Sequence, residues 1–177
     1  MSNTKTVLFL EIVGTIIIIL LGSALHFTYA RSGNNPFVGF FSAVNESVWE
    51  HLKLAFWPSL FWMVISVLPL RKLVNNFFSA KTVGMYVMVA LIPAVFYSYT
   101  AFTNESIFAI DIATFFVAVI IGQVVSYRLF RYKKLPKAAE IIAITAMILL
   151  AIIFIVFTFY PPQLPIFQDS ITGQYGV

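Results

Sequence analysis

The chain has 177 residues, of which 60% are hydrophobic and only 10% charged, with a formal net charge of +4. A soluble domain carries roughly a quarter charged residues, so this composition leaves too little polar surface for a water-facing exterior and is equally unlike a disordered chain. Cysteine is absent and histidine occurs twice, which excludes disulfides, thiolate nucleophiles, Cys-ligated zinc and a three-histidine metal site within one chain.

A helix needs about 20 mostly apolar residues to cross a hydrocarbon layer about 30 Å thick. Five segments meet that length, at residues 7–29, 47–70, 82–102, 106–127 and 139–160. Runs of this kind read as helices, because a bilayer leaves no partner for unpaired strand backbone. The expected fold class is all-α, a polytopic transmembrane helical bundle of five spans plus a short outer interfacial helix, forming one integral membrane domain over residues 1–177.

In chain order, the first span carries Glu11 near its start and ends without a clean small-residue cleavage site, which favours a retained helix over a signal peptide. Asn35-Pro36 then has the form of a helix cap followed by a first-turn proline. The residues behind it, Phe37 to Phe41, are too few to span and predict a short helix in the outer interface. Ser47 with Glu50 has the spacing of a capping box, and the helix it opens should run straight into the second span, through Pro58 and Pro69.

Asn104-Glu105-Ser106, ahead of the fourth span, repeats the Asn45-Glu46-Ser47 tripeptide. The repeat fits either a duplicated hairpin or a recurring cap motif. After the fifth span, residues 161–177 carry three prolines that bar further helix. Leu164, Ile166 and Phe167 predict an ordered outer strap, with a turn at Asp169, Ser170 and Thr172-Gly173.

The cations set the expected orientation. Lys5, Arg71, Lys72, Lys81, Arg128, Arg131, Lys133, Lys134 and Lys137 fall on one side, leaving Arg31 and Lys53 on the other. A multi-pass protein of the cell membrane with a cytoplasmic N-terminus and an extracytoplasmic C-terminus follows. The basic loops serve topology and anionic lipid headgroups, so nucleic acid is not expected as a partner; the bilayer is, and an oligomer is compatible.

Five of the seven acids, Glu46, Glu50, Glu105, Asp111 and Asp169, fall on the outer side, and both histidines lie at that level. Helical spacing would put Glu46, Glu50, Lys53 and Trp57 on one face. Two carboxylates one turn apart repel unless a cation, a proton or a ligand lies between them, and Lys53 is a local candidate for that cation. An outward-facing acidic pocket of Glu46, Glu50, His51, His26 and Asp111 is therefore expected, with Asp169 as a lid contact. Carboxylates with imidazoles suit a divalent metal ion, for which Glu46, Glu50 and His51 are the candidate ligands; a small organic cation is the other candidate.

Binding or transport of such a cation is the leading function. The alternatives are a membrane-embedded enzyme acting on a lipid or lipid-linked substrate at the outer interface, with Glu46 or Glu50 as general base, and an accessory subunit of a membrane complex. No Gly-x-Ser-x-Gly or His-Glu-x-x-His motif is present to name a reaction.

The segments SAVNESVWEHLK (residues 42–53) and FQDSITGQYGV (residues 167–177) resemble a domain-of-unknown-function family of small bacterial integral membrane proteins. The resemblance implies a bacterial membrane location and assigns no activity.

Overall fold

The computed structural model describes residues 3–177. Its helices are α1 (Asn3–Arg31), α2 (Pro36–Gly39), α3 (Val48–Leu70), α4 (Phe77–Thr103), α5 (Phe108–Phe130) and α6 (Lys137–Phe159), followed by a 3₁₀ turn at Pro165–Phe167. Five of them, all but α2, are long and apolar enough to cross a membrane. The protein is a membrane-spanning helical bundle.

Local chemistry places the boundaries. Asn35 caps α2, its side-chain oxygen accepting from the Phe37 N–H at 2.9 Å, with Pro36 at the first helical position. Ser47 caps α3 from extended backbone, its hydroxyl accepting from the Glu50 N–H at 3.3 Å. The helix therefore starts one residue after Ser47, and Glu46 is not part of it. That departs from the shared helical face expected for Glu46, Glu50, Lys53 and Trp57: the i,i+4 rule holds only where both residues are helical.

The third predicted span also begins earlier than expected, at Phe77, so Lys81 lies inside a helix rather than in a loop. The start of α4 has no cap from its own Asn76; Glu140 from α6 supplies one, accepting from the Phe78 N–H and the Ser79 hydroxyl at 3.0 Å each. The second Asn-Glu-Ser tripeptide works differently from the first. Asn104 ends α4 in the left-handed conformation, φ 59°, and α5 begins only after Ile107.

Helix α3 is the most buried of the long helices. It packs on α1 and α4, while α4 also contacts α5 and α6. Pro58 has no N–H for the Leu54 carbonyl, and that carbonyl lies against Gly22 of α1, where a side chain would strike it. The most extensive contact, between α4 and α5, is built on Gly84 and Gly122, each set against the other's backbone. Such close approach of small residues is how membrane helices gain packing without a hydrophobic drive between them.

Polar groups are turned inward. Lys81 reaches both Glu11 oxygens, at 2.7 and 2.9 Å, joining α4 to α1 within the core. Apolar side chains such as Leu20, Leu68 and Ile142 face outward, as a lipid surroundings requires. Loops 71–76 and 131–136 gather five of the eleven cations at one end of the bundle, and α2, the loop 40–47 and the C-terminal tail lie at the other.

Candidate functional site

The end of the bundle opposite the basic loops is organised by one buried ion pair. Lys53, fully enclosed, lies 2.6 Å from the Glu50 carboxylate. Its ammonium also donates to the Gly39 carbonyl and the Thr158 hydroxyl, both at 2.8 Å. Glu50 completes its shell by accepting from Thr158 at 3.0 Å and from the Val44 N–H at 3.0 Å. Buried charges survive only when paired and hydrogen-bonded in this way. The pair thereby ties α2, α3, α6 and the loop 40–47 together.

That loop is also pinned to α1. The buried Ser42 hydroxyl accepts from the Tyr29 N–H at 2.9 Å and donates to the Leu25 carbonyl. Asn45 accepts from the Ser47 N–H at 2.9 Å, closing a tight turn before α3. Between these fastenings stands Glu46, with His26 of α1 on one side and His51 from the first turn of α3 on the other.

The three side chains converge. His26 Nε2 lies 3.1 Å from His51 Nε2. Glu46 Oε2 lies 3.3 Å from His51 Nε2 and 3.6 Å from His26 Nε2. His51 Nδ1 is 2.8 Å from the Ser47 carbonyl; a carbonyl only accepts, so Nδ1 carries a proton and Nε2 is the ring nitrogen turned toward Glu46 and His26. All three side chains are half-buried, open to solvent on one flank. Hydrogen bonds from His26 and then His51 hold the Glu46 carboxyl well below the usual carboxylate range, outweighing the opposing effect of its partial burial.

The separations match metal coordination. Four donors at about 2.0–2.1 Å from a zinc-like ion stand about 3.3 Å apart along the edges of a tetrahedron, and the three observed distances bracket that edge. His51 already carries the outer hydrogen bond, Nδ1–H to a carbonyl, that orients metal-bound imidazoles. Among the described residues these are the side chains that cluster with metal-ligand geometry.

The other side chains of the expected pocket do not join the three converging ones. Glu50 does not join Glu46 because it faces Lys53 inside the bundle. Asp111 is held at 2.6 Å by the Tyr99 hydroxyl, which in turn accepts from the Ile107 N–H at 3.1 Å, so it fastens the α4–α5 turn. Its charge reaches His51 without a hydrogen bond to it. Asp169 belongs to the tail turn, accepting from the Ile171 N–H at 3.0 Å and the Thr172 hydroxyl at 2.6 Å. Burial opposes ionisation there, but the Thr172 hydroxyl and the N–H groups of Ile171, Glu46 and Thr172 hold its carboxyl below its ordinary value.

Sequence reasoning missed the supporting shell. The Ser47 carbonyl that sets the His51 tautomer was signalled only by the i,i+4 spacing of Ser47 and His51. Thr158, more than a hundred positions from Glu50, left no signal at all.

The chain belongs to a family of unknown function, DUF6512, whose family model matches residues 2–177. No curated protein and no solved structure matches it.

Proposed function

We propose that this member of the family binds a divalent transition-metal ion at the outer face of the cell membrane, through His26 Nε2, His51 Nε2 and Glu46 Oε2. The observation that carries the reading is the convergence of these three atoms at 3.1–3.6 Å, with His51 oriented by the Ser47 carbonyl. Two imidazoles and one carboxylate select zinc, iron, manganese or their neighbours over calcium and magnesium, which take oxygen ligands. Glu46, kept ionised, supplies one negative charge, so a divalent ion is partly neutralised where it binds. The excess of Lys and Arg in the opposite loops supports an outward-facing site, and the open flank gives the ion a way in from water.

A second reading, a metalloenzyme at the membrane interface, is favoured by one feature. Three protein ligands leave a coordination position free, as catalytic sites do and structural sites do not. In that position a metal-bound water would be activated.

Titration of the detergent-purified protein with Zn²⁺ and with Co²⁺, whose visible spectrum reports tetrahedral nitrogen and oxygen ligation, tests the proposal. One ion per chain is expected. H26A, H51A and E46Q should each weaken binding by at least about 10–100-fold, the range that loss of a mere supporting hydrogen bond already reaches. E105Q, at an exposed side chain outside the triad, should bind as the wild type does. No saturable binding, or equal losses in E46Q and E105Q, would sink the reading.

A further inference from the structure

The metal ligand Glu46 stands on a loop without regular structure, and the C-terminal tail grips that loop at its backbone. The Ser170 hydroxyl donates to the Glu46 carbonyl at 3.2 Å. The Glu46 N–H faces the Asp169 carboxylate and favours its ionised form. Next door, the Asn45 side-chain amide donates to the Gly176 carbonyl at 2.9 Å. The loop at Asn45 and Glu46 is thus held by residues more than 120 positions away in sequence.

The tail is built to present those groups. Phe167 is wedged between Trp49 and Phe157, with ring centroids 4.8 and 5.4 Å away, and anchors its start on α3 and α6. Beyond that anchor the chain folds back on itself, pairing Gln168 with Tyr175. The Asp169 N–H donates to the Gln174 carbonyl and the Gly173 N–H to the Asp169 carbonyl, each at 2.9 Å. Gly173 sits at φ +72°, where a side chain would be strained. None of these bonds touches the three metal-ligating atoms; they act on the backbone that carries one of them.

We infer that residues 168–177 are the positioning element of the metal site, holding Glu46 in register with His26 and His51, so that tail docking and metal occupancy favour one another. The inference rests on the metal reading proposed above. A ligand must be held within about 0.5 Å of its productive position, and a loop freed on one side spends its binding energy on ordering. Linkage makes the effect reciprocal: whatever affinity the docked tail adds to metal binding, the metal adds to tail docking. Asp169 and Ser170 are positioning residues in this scheme, and an anchored tail turns the end of the chain into a control point for the site.

The test uses full-length protein in detergent with Zn²⁺ as the probe. The double variant D169N/S170A should bind Zn²⁺ about 5- to 50-fold more weakly than the wild type, a span typical of coupled sites, while S170T, which keeps the hydroxyl, should recover most of the Ser170 contribution. In the wild type, Zn²⁺ should slow amide hydrogen exchange across residues 168–176, and H26A should abolish that slowing although the His26 side chain is bonded to His51 and Glu46 and not to the tail. The exchange measurement needs no tail variant, so it decides the matter even if D169N/S170A folds poorly. Zinc binding by the wild type with no change in tail exchange overturns this inference alone. No zinc binding by the wild type overturns the metal reading and this inference together.

Discussion

Glu46 and Glu50 flank the Ser47 cap and serve different partners: Glu46 Oε2 lies 3.3 Å from His51 Nε2, while Glu50 lies 2.6 Å from Lys53 Nζ. The division follows from the cap. Ser47 has extended backbone, φ −76° and ψ 152°, so the chain changes direction between the two acids. Glu46 is left at the half-open end of the bundle and Glu50 enters its interior. One acid stays partly exposed beside the two imidazoles, and the other is committed to holding the loop on which the first one stands.

That commitment has a measurable cost when broken. Lys53→Met leaves Glu50 buried without its cation, and removing one member of a buried pair costs about 3–5 kcal/mol. The double variant E50Q/K53M, which removes both charges, should recover a substantial part of the loss. Thermal unfolding in detergent of the two single variants and the double variant, read as a cycle, checks this; strictly additive losses would mean that the pair contributes nothing as a pair.

A second expectation concerns the α4–α5 contact. Gly84 and Gly122 lie so close that a Cβ on Gly122 would fall 2.5 Å from Met88 and 2.7 Å from the Gly84 carbonyl. The side chain of Met88 can move but the backbone of α4 cannot without separating the helices. Gly122→Val should therefore lower stability by about 1–3 kcal/mol, the usual range for overpacking, or more. Glycine-to-valine at Gly33, which has open space around it but φ +72°, is the control that separates backbone strain from helix contact.

Acid should act on the triad in two ways. The Glu46 carboxyl is held well below its ordinary value of 4.5 in the folded protein. A group depressed on folding stabilises above its unfolded value and loses that contribution as pH falls through the folded one. The metal-free protein should therefore lose the Glu46 contribution progressively below about pH 4.5, and E46Q should lack this part of the acid transition in melting curves taken from pH 7 to 3. Metal binding has a different dependence, because protons compete with the ion at the imidazoles. Zinc affinity should fall as acidification protonates the imidazoles, with Glu46 still ionised. A loss of affinity confined to pH values below 4.5 would contradict it.

Much of the architecture was legible in the chain. Five apolar stretches of membrane-crossing length announce five helices, because a bilayer offers backbone polar groups no partner but the helix itself. The Asn35-Pro36 start, the Ser47 cap and the ordered tail were equally visible, since caps and proline stops are local chemistry written in neighbouring residues. Lys53 was recognisable as a local cation for the neighbouring acids. The pairing of Glu11 with Lys81 was less legible, because the apolar run of the third span begins only after Lys81, which lies inside α4.

The site divides along the same line. Its residue types and its end of the molecule could be read from the clustering of acids and histidines between the first two spans. Which of them meet could not. A side chain's partners depend on where the backbone turns, and a single extended residue at Ser47 sends Glu46 toward His26 and Glu50 toward Lys53. Contacts such as Glu50 with Thr158, or Ser170 with Glu46, join positions more than a hundred residues apart, and no local pattern encodes them. Sequence alone determined that this is a five-span membrane protein with its acids gathered at one end, because solvent preference and helix periodicity are properties of short segments. Only the tertiary structure decided that two histidines and one of those acids converge while Glu50 turns inward to Lys53, because convergence of side chains is a property of the packed bundle.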